Sequence, residues 1–260
     1  RCFTGWSIDD LKTKGRFVFR PADHDEGPKR VFGLEVPAGG GVEDGDRVLT
    51  YLAAHPATAR FVCFKLARRF VADDPPPSLV DTCARTFIET GGDLRSVTRT
   101  LFTSAEFRAA ADQPRYRTPF LYLVAALRAT GARVESAEPG LIWHLDKMGM
   151  RPYFCTPPTG WSDRGRDWQS SAHVYRLNFA LDLANDTIRG VQVRLAPRLA
   201  AARYDAGSSV SIAAFCNREV FGGGLSERTM GAAKGLTKGH PGTVAKVAGL
   251  ILSSPEMQSN

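Results

Sequence analysis

No run in this chain approaches the roughly eighteen apolar residues that a membrane-spanning helix requires. The first residues also lack the charged, apolar and small-residue series of an export signal. Closely spaced cysteines are missing as well. Cys2, Cys63, Cys83, Cys155 and Cys216 form an odd set with no zinc-ribbon or haem-attachment spacing. No HExxH, nucleophile elbow, P-loop or Rossmann glycine pattern occurs, which removes the enzyme classes most readable from motifs. Gly222-Gly223-Gly224 reads as a helix stop, since no strand precedes it to build a phosphate cradle. The formal charge is +7, but the arginines are scattered along helical patterns, with no interleaved aromatics or nucleic-acid motif. Solvated helix faces account for them, and a nucleic-acid partner is not expected.

What is present is an ordinary globular composition, 260 residues with 43% hydrophobic content, enough to bury a substantial core. Residues 1–46 read as an irregular entry, in which Arg16-Phe17-Val18-Phe19-Arg20 has the pattern of a short strand and Gly39-Gly40-Gly41 marks a connection. Helical periodicity dominates afterwards. Asp44 or Asp46 is suited to cap a helix through Ala54, and Pro56 to open the next, whose pattern turns Phe61, Phe64, Leu66 and Phe70 inward. Pro75-Pro76-Pro77 ends that hairpin. Further helices are expected near 78–90, 94–110, 118–130, 139–149, 169–186, 190–204, 209–221, 225–235 and 241–252. Gly91-Gly92, Gly131, Gly149, Gly207 and the Lys238-Gly239-His240-Pro241 turn separate them. The fold class is therefore all-α: one globular domain of about ten helices over 1–260, with a weak subdivision near 112–117. Cys63 and Cys83 fall on successive helices, where a disulfide or two buried thiols fit equally well.

The segment from Met150 to Ala180 stands out. Pro157 and Pro158 forbid helix, Gly160 and Gly165 permit tight turns, and Trp161 and Trp168 are large anchors expected to bury against the body. An ordered Pro/Gly/Trp-rich loop is predicted, followed by a helix capped by Ser170 or Ser171. Arg176 and Asn178 stand on that helix. They either sit in solvated or paired settings, or form with Trp161 and Trp168 a polar site for substrate or partner.

The densest chemistry lies in Asp23-His24-Asp25-Glu26-Gly27-Pro28-Lys29. His24 is the candidate general base, with Asp25 and Lys29 beside it, because imidazole titrates near neutral pH. In an extended segment Asp23 and Asp25 point the same way and could share a calcium ion. Gly27 falls one place early for an EF-hand, and no cofactor is expected on balance. The plainer account is a solvated turn in which Asp25 caps backbone N–H groups. His55, before Pro56, fits a helix start, and His144 fits a core edge. His173 is placed to line the pocket of Trp161, and His240 lies in a Gly-Pro turn.

Several of these segments together resemble the bacterial domain-of-unknown-function 1800 family. Thr4-Gly5-Trp6, His24-Asp25 with Gly27 and Lys29, His55-Pro56-Ala57-Thr58-Ala59 with Lys65-Leu66, Gly91-Gly92-Asp93-Leu94, the Pro157-Pro158 to Phe179 series and Ser254-Pro255-Glu256 occur in that order. The resemblance covers nearly the whole chain. Family members usually carry a long helical portion before Thr-Gly-Trp and paired glycines around the later Gly-Trp, which this chain lacks. The resemblance implies an exported, periplasmic or extracellular protein acting beside an exported sulfatase-like partner. The expected function is thus a helical scaffold or binding module, and the alternative is a hydrolase using the His24 loop. A start at the family's midpoint would leave Phe61, Phe64, Phe70, Leu121 and Val124 near an uncovered face, for self-association or a separate N-terminal chain.

Overall fold

A computed structural model describes residues 1–9, 15–110, 113–170, 173–236 and 243–259. Ser171, Asp112 and the Lys238-Gly239-His240-Pro241 turn lie outside the described residues. The fold is mostly helical, as the patterning predicts. Among the described residues there are thirteen α-helices and three two-stranded antiparallel sheets. The chain divides into two compact units, Arg1–Ala111 and Asp112–Asn260.

In the first unit the irregular entry is two hairpins. Strand β1 (Trp6–Asp9) pairs with β2 (Arg16–Phe19), and β3 (Lys29–Val31) with β4 (Leu34–Val36). Phe32 and Gly33 make the second turn with positive φ at both positions, the backbone twist a two-residue hairpin demands. Helices α1 (Glu43–Ala53), α2 (Pro56–Phe70), α3 (Pro77–Glu89), α4 (Leu94–Thr103) and α5 (Ala105–Ala109) follow. His55 starts α2 by accepting from Ala57 N through Nδ1 at 3.1 Å, ahead of Pro56 at the first helical position. The core face of α2 differs from the expected one. Ala59, Cys63 and Ala67 are fully buried, while Phe61 and Phe70 are 63% and 43% exposed. Small side chains at this four-residue spacing let α3 approach closely, and the phenylalanines are turned outward. The expected helix 94–110 breaks at Ser104, whose extended backbone lets its hydroxyl accept from Phe107 N at 3.0 Å and donate to Leu101 O at 2.7 Å.

The second unit holds α6 (Pro119–Thr130), α7 (Gly140–Lys147), α8 (His173–Ala184), α9 (Leu195–Ala201), α10 (Ser209–Phe215), α11 (Glu227–Lys234), α12 (Thr243–Leu252) and α13 (Pro255–Gln258). Helix α8 packs on α12 at Gly249, where an added Cβ would stand 3.2 Å from Leu181 Cδ2. Tyr122, Leu145, Phe179 and Leu183 centre one core, and Leu199, Ile212, Phe215 and Val247 another. The expected helix 190–204 begins instead as strand β6 (Val191–Gln192), paired with β5 (Arg133–Val134), so α9 is short. Leu121 and Val124 are partly buried here, as Phe64 is in the first unit.

Candidate functional site

His24 and Lys29 come together in the first unit, but with Asp44 in place of Asp25. A turn of 3-10 helix over Pro21–Asp23 presents His24, the first residue of β3 presents Lys29, and the first turn of α1 presents Asp44. Asp44 therefore does not cap its helix. Its carboxylate turns inward, where Oδ2 lies 3.2 Å from His24 Nε2 and accepts from Lys29 Nζ. Lys29 Nζ also lies 3.4 Å from His24 Nε2. On the other side of the ring, Nδ1 lies 2.8 Å from Thr4 O, and a carbonyl can only accept, so Nδ1 carries a proton. Nε2 faces both the Asp44 carboxylate and the Lys29 ammonium, so both ring nitrogens are engaged. The His24 and Asp44 side chains are wholly buried. Burial alone would raise the Asp44 carboxyl, but hydrogen bonds and charge from Lys29 and His24 outweigh it and hold the group below its ordinary value. Two glycines make room. A Cβ on Gly5 would meet Arg20 O at 2.7 Å, and one on Gly40 would overlap Asp44 Oδ1.

Asp25 is part of the surface. It takes Arg1 Nε at 2.6 Å and the Gly27 N–H at 2.9 Å, and the Arg1 hydrogen bond holds its carboxyl well below the usual range. Asp23 is exposed. Among the described residues no group of three or more His, Cys, Asp or Glu side chains is arranged to hold a metal ion.

In the second unit Arg176 is deeply buried on α8. Its Nη1 donates to Gln258 Oε1 at 3.0 Å and its Nη2 to Arg117 O at 2.8 Å, while its guanidinium lies 4.4 Å from the Tyr116 ring centroid and 5.2 Å from that of Tyr122. Tyr122 in turn donates to Arg176 O at 3.0 Å and Leu252 O at 3.1 Å. Burial pulls the guanidinium below its ordinary value, opposed by the two tyrosines. The Tyr116 hydroxyl meets His173 Nδ1 at 2.8 Å, and burial, with Arg176 nearby, lowers the imidazole. Asn178 faces solvent.

The tryptophans of the preceding loop depart from expectation. Trp161 and Trp168 are half-buried and lean on each other, with ring centroids 6.1 Å apart. Order comes from local polar bonds: Trp168 Nε1 donates to Ser162 O at 3.0 Å, and Ser162 Oγ to Asp167 Oδ2 at 2.5 Å. Half-burial follows because each indole covers part of the other. Toward α7, Tyr153 is fully exposed and held at φ 63, and Phe154 is 61% exposed beneath the Arg151 guanidinium, 4.0 Å from its ring centroid.

One concave feature lies beside α7. Trp143, His144, Asp182, Thr187 and Arg189 line a cleft of about 340 Å³. The His144 side chain is only 6% exposed, and its Nε2 stands 3.7 Å from Asp182 Oδ2, too far for a hydrogen bond. Burial lowers this imidazole, partly opposed by Asp182.

The family model described as "Protein of unknown function (DUF1800)" matches residues 1–259. This chain belongs to the DUF1800 family. No curated protein and no solved structure matches it. For this DUF1800 chain, the motif order read from the sequence spans both units, from Thr4-Gly5-Trp6 to Ser254-Pro255-Glu256. His24, Asp25 and Lys29 belong to the first unit, and Trp161, Trp168, Arg176 and Asn178 to the second. Sequence reasoning read Asp44 only as a helix cap and passed over Tyr116, Gln258 and Asp182. Asp44 carried the only usable signal, a third acidic side chain in a helix's first turn with Glu43 and Asp46 already there.

Proposed function

We propose that this DUF1800 chain is a non-catalytic, exported binding module that acts with a protein partner through the loop between α7 and α8. The observation that carries this reading is the exposed pair Tyr153 and Phe154 on a hydrogen-bonded loop. Tyr153 keeps a left-handed backbone, which is unfavourable for a residue with a Cβ. Aromatic side chains combine a large apolar area with few rotatable bonds, and with arginine they dominate the anchors of protein interfaces. Arg151 lies against the Phe154 ring and adds a guanidinium fork for a partner carboxylate. Export and a sulfatase-like partner rest on the family resemblance. A hydrolytic role through His24 would require its cluster to open, because both ring nitrogens are engaged.

The test is photo-cross-linking from position 153 of the full-length protein in its host, with cell fractionation in parallel. The expected product is one predominant adduct in the exported fraction, with a protein whose co-purification the double variant Tyr153→Ala, Phe154→Ala abolishes. Undiminished co-purification with that variant rejects the loop as the contact. Adducts formed only between copies of this chain replace the partner with a homo-oligomer.

A further inference from the structure

We infer that the cleft beside α7 is a binding site for a neutral sugar ring, lined by Trp143, His144, Asp182 and Arg189. It is a different surface from the loop proposed above and stands on different observations. The first is His144. Among the described residues its ring makes no hydrogen bond, although the side chain is nearly buried and opens on the cleft. Its ring nitrogens are not sealed from solvent, so they face the cleft, where a ligand hydroxyl can take the place of water. Burial keeps it neutral at physiological pH, so one ring nitrogen donates and the other accepts. A hydroxyl group satisfies either.

The second observation is the balance of the remaining lining. Asp182, half-exposed, offers a carboxylate, and Arg189, exposed, offers a guanidinium fork. Their charges cancel. A phosphate or sulfate would meet the Asp182 carboxylate, and a quaternary ammonium would meet Arg189. Trp143 is 51% exposed and presents an indole to the cleft. Lys147 Nζ lies over the Trp143 ring, 5.7 Å from its centroid, and leaves part of the indole open. A ligand with several hydroxyls that both donate and accept, and an apolar face for that open indole, fits this mixed lining best. A pyranose ring has both properties. The volume of about 340 Å³ falls at the lower end of small-molecule sites, room for one or two rings.

The third observation is that the walls are braced. A Cβ on Gly140, the first residue of α7, would stand 2.6 Å from Arg189 O, so that helix end abuts the turn after α8. Thr187 bonds back to Asp182 O through both its N–H and its hydroxyl at 3.0 Å, and Asp186 Oδ1 accepts from Val193 N at 2.7 Å. The site is preformed, which lowers the ordering cost of binding.

Titration calorimetry of the whole chain with cellobiose, N,N′-diacetylchitobiose and maltose tests this, with inorganic phosphate and choline as charged controls. Saturable binding of at least one saccharide is expected, weakened about tenfold or more by Trp143→Ala and about tenfold by Asp182→Asn, each close to 1.4 kcal/mol. Both side chains are half-exposed, and melting curves check that the variants fold. Trp143→Phe keeps an aromatic plane and should retain binding within a few-fold. Heats that do not saturate for any saccharide overturn the proposal. So does saccharide binding indifferent to both substitutions, or tighter binding of phosphate or choline.

Discussion

Lys29 in the first unit and Arg176 in the second are both cations withdrawn from water, yet only Lys29 faces a carboxylate. The lysine ammonium is a compact, strongly hydrated charge, and Asp44 replaces that hydration with a full counter-charge, with His24 Nε2 beside it. The arginine guanidinium is planar and weakly hydrated. It is held by a carbonyl, an amide oxygen and two tyrosine rings, and among the described residues no carboxylate pairs with it. A localised buried charge therefore depends on one partner, whereas a delocalised one spreads its dependence over several neutral groups.

The largest expected effect breaks the first of these. Asp44→Ala strands the Lys29 ammonium and should lower stability by about 3–5 kcal/mol in denaturant unfolding. Removing both charges with Lys29→Met and Asp44→Leu should recover more than half of that loss, because no lone charge remains. If the double variant is as damaged as the single, charge compensation is not what the cluster supplies. Arg176→Met comes next. It leaves Arg117 O and Gln258 Oε1 without their donor but no stranded charge, so the expected loss is about 1–3 kcal/mol. A loss exceeding that of Asp44→Ala would reverse the contrast between the two cations.

Trp161→Ala sharpens the comparison from the loop. Full burial of a tryptophan would predict about 3–5 kcal/mol, and half-burial against Trp168 reduces the expectation to about 1–2 kcal/mol. A larger loss would mean that the loop depends on Trp161 as an anchor into the body.

The smallest net effect is one of pH, because Glu256 is only partly buried and solvent screens its charge. Glu256 is desolvated, which opposes ionisation, but hydrogen bonds from the Ser226 hydroxyl, its own N–H, the Ser226 N–H at 3.0 Å and the Ser254 hydroxyl prevail and lower its carboxyl to about 2 from an ordinary 4.5. A depressed carboxyl stabilises the folded state above its unfolded value, so this contribution is present at neutral pH and is lost as pH falls from 4.5 toward 2. Melting temperature against pH should decline over that window, and Glu256→Gln should flatten the decline. An unchanged slope would mean that other carboxylates carry the acid transition.

The sequence alone determined what neighbouring residues decide. Helical class, the Arg16–Phe19 strand, the His55-Pro56 helix start and the stops at Gly91-Gly92 and Gly131 follow from caps, φ restrictions and periodicity acting over a few positions. For Arg176 the helical pattern left a solvated or paired setting and a polar site both open. Tertiary structure alone decided who compensates whom. Asp44 reaches Lys29 across 15 residues and His24 across 20, and Gln258 reaches Arg176 across 82, spacings on which no local pattern bears. It also decided which face of α2 is the core, because the approach of α3 selects Ala59, Cys63 and Ala67 over the larger phenylalanines. The cleft at His144 escaped for the same reason. Its Asp182 belongs to a different helix, and only packing brings a carboxylate to the edge of a buried imidazole.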